Sequence, residues 1–332
     1  MADPVLVEIT RGNVVESVHR GALAVLDAQG RVVVAHGDIE QAIFPRSAVK
    51  GLQALPLIET GAADRYGLSA AELALACASH SGEPRHVEAA ASMLAKAGRD
   101  LACLECGTHW PSNEQAARGL AAEGRTPSAL HNNCSGKHTG FLALALHLGV
   151  PVAKYIEPDS AGQVLVRKAV LELTGVPASD LGTAVDGCSA PTFRMPLSGL
   201  ATAFARVANP SGLPRERRAA CERMLAAVAA HPHLIAGHHQ RIDTDIARVT
   251  RGRLFPKIGG EAVYAIGVRG SDRGLALKID DGSSRALHAL VVDLLRRFSF
   301  ATADELAALE AWEEKRLRNW AGLDVGRTEV VA

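Results

Sequence analysis

Short runs of closely spaced apolar residues open the chain and return near its end, and between them the spacing becomes helical. Residues 5–10, 21–26 and 31–35 carry the β-branched, alternating positions of strands, and Gln29-Gly30 between the last two predicts a tight hairpin turn. From Pro45 the period lengthens. Val49, Leu52, Leu55 and Leu57 predict a helix over 47–58, closed by Gly61, with Ser47 and Lys50 in its first turn. Ser69-Ala70-Ala71-Glu72 reads as a capping box ahead of the apolar run 73–77, a helix that delivers Ser79 just past its end. Helical spacing recurs over 85–97, 114–122, 136–148, 161–173, 197–207, 215–230 and 286–298. Ahead of the last of these, 262–268 and 275–279 read as strands across the turn 269–274.

This order predicts an α/β (α+β) fold: an antiparallel sheet built from both termini, with a helical subdomain inserted between its halves. The sheet part is expected at about 1–45 and 250–332 and the helical part at about 46–249, forming a single unit over 1–332. No internal repeat or low-complexity tract interrupts it.

Charge narrows the partners. Lys and Arg number 36 against 36 Asp and Glu, so no net field gathers nucleic acid or an anionic membrane surface. A small molecule or another subunit is expected instead. The first ten residues lack a basic start followed by an apolar stretch, and no apolar run approaches a membrane span, so a cytoplasmic setting is expected. Six irregularly spaced cysteines in 332 residues argue against a disulfide framework. A cysteine flanked by polar residues is then a candidate metal ligand or reactive group.

Ser47-Ala48-Val49-Lys50 is such a candidate for chemistry: at i and i+3 of a helix the hydroxyl and the amine share one face. A neutral lysine can take the proton that keeps serine a weak nucleophile, provided burial or cationic neighbours lower its pKa. The same spacing also arises on solvated helix faces. Lys257, read as lying directly before a glycine-bearing strand in Pro256-Lys257-Ile258-Gly259-Gly260, offers a second amine, or alternatively a charge guarding a sheet edge. Ser79-His80-Ser81-Gly82 supplies a polar loop, or simply the polar end of a helix. The stretch 131–138, His-Asn-Asn-Cys-Ser-Gly-Lys-His, is dense in hydrogen-bonding and metal-binding groups, the bland account being a capping loop with a buried cysteine. Asp186-Gly187-Cys188-Ser189-Ala190-Pro191 is a second polar turn with a thiol; if the two turns meet, their thiolates favour Zn²⁺. Cys103-Leu104-Glu105-Cys106 has no second ligand pair and reads as a helix end or turn. His238-His239 is read as packed or solvated, and Arg215-Glu216-Arg217-Arg218 as a solvated helix face.

Taken together, Pro45 to Lys50, Ser79 to Gly82, 131–138, Asp186 to Pro191 and Lys257-Ile258-Gly259 resemble the rhizobial-type L-asparaginases, in the same order and spacing over nearly the whole chain. The resemblance implies a fold similar to the serine β-lactamases and glutaminases, a homodimer, and two serine–lysine pairs near a zinc ion. It implies that Ser47 pairs with Lys50 and Ser79 with Lys257, that Cys134, Lys137 and Cys188 ligate the zinc, and that asparagine is hydrolysed through an acyl-enzyme. Arg46, His138 and Asp186 are then the expected substrate-binding groups. Ser47 is favoured as nucleophile, though the serines could exchange roles, and the zinc is expected to orient substrate and loops more than to activate water. A glutaminase, another Ser/Lys amidase and a non-catalytic zinc-dependent amino-acid sensor are the alternatives.

Overall fold

The computed structural model describes residues 2–238, 240–313 and 316–332. Its main sheet is antiparallel and runs in the order Thr328–Val330, Val5–Arg11, Val14–Asp27, Arg273–Ile279, Val263–Val268, Leu254–Ile258, with Val32–His36 paired on Val14–Asp27. Both ends of the chain therefore meet in one sheet: Val7 lies opposite Val330 and Leu23 opposite Leu277. The expected α/β arrangement, with helices between the two halves of the sheet, is what is found.

Side-chain size sorts the two faces of the sheet. One presents Ala22, Ala24, Ala265 and Ala276 to the helix Leu197–Ala208. A Cβ on Gly274 would stand 2.1 Å from the carbonyl oxygen of Ala201, so glycine is required for this helix to lie so close. The opposite face carries Leu23, Val25, Ile266, Leu275 and Leu277, packed with Leu287, Leu290 and Val291 of the helix Ser284–Arg297. Each such buried side chain contributes roughly 1.5–3 kcal/mol. Beyond the alanine face lies Lys50–Glu59, buried from Lys50 to Ile58, enclosed by Ala70–Ala76, Ser135–His147, Ala161–Thr174 and Arg215–Ala230. No described helix is long and apolar enough to cross a membrane.

Long-range contacts correct several expectations. Lys257 does not precede a strand but sits within Leu254–Ile258. This strand ends the sheet order, where Pro256, lacking an N–H, can be accommodated. The first turn of the 47–58 helix is a separate 3-10 turn, Arg46–Val49. The hairpin strand begins earlier than expected, at Val14, because its first half pairs with Val5–Arg11. Ile242–Val249 forms a helix too short for its period to stand out. The 215–218 face is not uniformly solvated: Arg217 is buried and ion-paired with Glu59 and with Glu172, the latter at 3.2 Å. His238 bonds Glu83 Oε2 at 2.7 Å, whereas His239 lies outside the described residues.

Candidate active site

The segments singled out in the sequence converge where the helical layer meets the end of the sheet. The turn Arg46–Val49 lies against Leu254–Ile258 and Val263–Val268. A Cβ on Gly259 would stand 2.2 Å from the carbonyl oxygen of Pro45, so the missing side chain lets the strand bearing Lys257 reach the turn bearing Ser47. Ala70–Ala76, capped reciprocally by Ser69 and Glu72, stops short of Ser79. A small sheet of Ala42–Ile43, Pro191–Pro196 and Gly182–Val185 holds the turn 186–190 beside Arg46.

Lys50 and Lys257 are 1% and 0% exposed and Ser79 is 9% exposed, whereas Ser47 is half-buried. Lys50 Nζ has the Cys134 thiol as its hydrogen-bonding neighbour. Lys257 Nζ donates only to the Ile258 carbonyl, 3.3 Å away. Neither amine donates to a serine. Burial pushes Lys257 down to about 7; Asp243 opposes the shift, while Lys50 and Arg241 add to it. A lysine in this state exchanges a proton near neutral pH, which an edge-guarding lysine in water would not do.

The two polar turns do meet. Cys134 sits at the N-cap of Ser135–His147, and Lys137 Nζ donates to Cys188 Sγ at 3.1 Å. The hydrogen bond from Cys188 holds Cys134 well below the ordinary thiol range against the effect of burial, helped by Lys50 and Lys137. The same bond, with burial, pushes Cys188 up. The two thiols thus oppose each other's ionisation, with the lower proton affinity on Cys134 at a helix N-terminus. Burial lowers the Lys137 pKa, but the two sulfurs outweigh it and raise the amine overall. Among the described residues no three His, Cys, Asp or Glu side chains cluster as metal ligands, so a metal here would need Lys137 in its shell. Two sulfurs and one amine nitrogen, with no carboxylate hydrogen-bonded to that amine, are a donor set that fits Zn²⁺.

Arg46 Nε donates to Asp186 Oδ1 at 2.6 Å, and that carboxylate also accepts from Gly187 N–H at 2.9 Å. Arg46 has φ +51° and Ser189 φ +71°, left-handed conformations that disfavour non-glycine residues and cluster at functional sites. His138 is fully buried; its Nδ1 meets the Tyr155 hydroxyl at 2.7 Å, and the ring also bonds the Cys188 backbone. His80 receives the Gly82 N–H on Nδ1 at 3.2 Å and faces Ser135 Oγ through Nε2 at 2.9 Å. Burial, then nearby His86, Lys50 and Arg241, hold it well below the ordinary imidazole value, fixing a neutral ring beside the site. Arg241 and Asp243 also adjoin the site, and no motif marks them; their only trace in the sequence is a pair of opposite charges two residues apart. Among the described residues the CxxC pair forms no group of three ligands: Cys103 ends a 3-10 turn, and Cys106 is buried, bonds the Ala129 carbonyl at 3.5 Å and lies near Cys134.

Residues 7–330 match the L-asparaginase II family. No curated protein matches the chain. Among solved structures, the chain is similar to a β-lactamase from Mycobacterium bovis, with 15% identity and a TM-score of 0.43, over 84% of this chain and 94% of that one. It is also similar to Mglu in its glutamate form, with 16% identity and a TM-score of 0.36, over 86% of this chain and 62% of that one.

Proposed function

The chain belongs to the L-asparaginase II family, matched over residues 7–330, and from that premise we propose that this amidohydrolase converts L-asparagine to L-aspartate and ammonia. The observation that carries the reading is the burial of two lysine amines, Lys50 and Lys257, without a carboxylate hydrogen-bonded to either, where the turn bearing Ser47 packs against the strand of Lys257. A structural lysine has little reason to be there, because burying an ammonium that no carboxylate contacts directly is costly.

In the proposed reaction Lys50 takes the proton of Ser47, whose oxygen attacks the side-chain carbonyl. The tetrahedral oxyanion is received by backbone N–H groups including that of Ser47. The C–N bond then breaks, the nitrogen gains a proton and leaves as ammonia, and the β-aspartyl group remains as an ester on Ser47. Water attacks that ester, giving aspartate and restoring the serine proton. Ser79 and Lys257, the latter poised near neutrality, relay protons to the leaving nitrogen and from the incoming water.

Asparagine carries an α-carboxylate and an ammonium side by side. The Arg46–Asp186 pair presents a guanidinium and a carboxylate 2.6 Å apart, so the amino acid can be matched by charge at both ends. His138 is assigned to substrate binding beside the Cys188 turn, whose backbone it bonds. Cys134, Lys137 and Cys188 would hold a zinc ion, which when bound supplies positive charge and fixes the two turns. Binding it requires Lys137 to lose its proton. A homodimer rests on the family resemblance, and a reducing, cytoplasmic setting on the six sparse, irregularly spaced cysteines.

The test is ammonia release from asparagine and glutamine by the purified protein and by Ser47→Ala. Turnover of asparagine that is lost in the variant supports the reading. Comparable or faster turnover of glutamine would replace the substrate, and no turnover of either amide would remove the reading.

A further inference from the structure

The Ser79 loop is held from one side by the segment leading into Ile242–Val249. Ser79 N–H donates to Ile235 O at 3.0 Å and Ser81 N–H to Ala236 O at 2.8 Å. Arg241 closes the same junction: Nη2 donates to Ser79 O at 2.7 Å and Nη1 to Ala236 O at 3.1 Å. One guanidinium fork therefore spans both chains of the contact. A lysine in its place could not reproduce the fork.

Two residues on, Asp243 is 1% exposed and lies 3.9 Å from Arg241 Nη2. The Tyr264 side chain is its hydrogen-bonding neighbour. A carboxyl group buried in this way persists only if nearby charges compensate it. Those facing it are Arg241 and Lys257, on which Asp243 exerts the largest effect after burial. The Tyr264 hydroxyl, also buried, lies against Asp243; burial and then this neighbour raise its proton affinity. Tyr264 is paired with Ile258, the residue after Lys257. Cation, carboxyl, amine and hydroxyl thus lie near one another behind the serine loop.

We propose that Arg241 and Asp243 are positioning residues for the second serine–lysine pair: Arg241 fixes the Ser79 carbonyl, and Asp243, on the helix packed against the strand of Lys257, supplies a negative charge facing that amine. The assignment rests on the proposed function only for the meaning of Ser79 and Lys257. Without Arg241 the Ser79 loop loses its tie to the segment before the Ile242–Val249 helix; without the Asp243 charge, Lys257 keeps only burial and the cations Lys50 and Arg241, with buried Cys77 as its remaining titratable neighbour.

The experiment follows Lys257 directly, by NMR on protein ¹³C-labelled at lysine Cε, with its signal assigned from Lys257→Arg. In Asp243→Asn the titration midpoint is expected to fall by more than about half a pH unit, since an opposing negative charge has been removed. The acidic limb of kcat for asparagine should move down with it. Should that variant not fold, Asp243→Glu, which displaces the carboxyl by one methylene, must move the midpoint as well. Arg241→Lys is expected to lower kcat roughly tenfold with KM within about twofold, as misplacement of a proton-transfer group does. A Lys257 midpoint unchanged in a folded Asp243 variant, or an Arg241→Lys kcat within twofold of wild type, overturns the assignment. An unaltered protein that turns over no asparagine but still shows the NMR shift would remove the substrate reading and support the role of Asp243.

Discussion

Lys257→Met separates what the buried amine does for the reaction from what it does to the fold. Lys257 is fully buried and its pKa is pushed from 10.5 to about 7. About 3.5 units at about 1.4 kcal/mol each correspond to about 5 kcal/mol of folding free energy lost to keeping this lysine inside. The sign follows from proton binding. Between pH 7 and 10.5 the unfolded chain holds a proton on this lysine that the folded chain releases, so stability rises with pH in that window. The penalty is fully present below about pH 7 and gone above about 10.5. At pH 7 about 4 kcal/mol of it remains. Methionine, similar in length, removes the penalty but forfeits the bond to the Ile258 carbonyl, about 1 kcal/mol. Lys257→Met is therefore expected to be more stable than wild type by about 3 kcal/mol at pH 7, while losing activity. Urea unfolding at half-unit steps from pH 6.5 to 9.5 reads the difference, and common titrations cancel between the two proteins. The advantage of the variant should shrink by up to about 1.4 kcal/mol per pH unit. A difference that stays flat with pH would refute the reasoning, because it would mean that Lys257 folds with an ordinary proton affinity.

Three further outcomes are expected. Ser47→Ala should lower asparagine turnover by roughly a thousandfold or more, as loss of an acylated nucleophile does, with its melting temperature unchanged; coupled assay of ammonia measures the first and calorimetry the second. Cys134→Ser should abolish stoichiometric zinc, read by elemental analysis of dialysed protein, since it removes the sulfur held most readily as thiolate. Arg217→Met should destabilise the protein by about 3 kcal/mol in denaturant titration, because it leaves Glu59 without the guanidinium that pairs with it inside the helical layer; a change below 1 kcal/mol would place that ion pair in effective contact with water.

Local chemistry made much of this molecule legible from the chain alone. The Ser69/Glu72 cap, the helices Glu114–Ala122 and Arg215–Ala230, and the strands at both ends follow from turn-to-turn spacing and from hydrogen bonds within a few residues. The polar clusters around Ser47, Ser79, Cys134, Cys188 and Lys257 stood out for a related reason: each packs unusual side chains into a few consecutive positions. Tertiary structure alone decided what surrounds them. Leu254–Ile258 is a strand because Val263–Val268 pairs with it, although Pro256 speaks locally against one. Arg217 is buried because Glu59 and Glu172 come from other helices. Arg241 and Asp243 join the site through a carbonyl 162 residues away and a lysine on another strand. Burial, and the proton affinities that depend on it, are set by atoms distant in the chain, so the sequence names the reactive groups while only the fold gives the two lysines their dry environment.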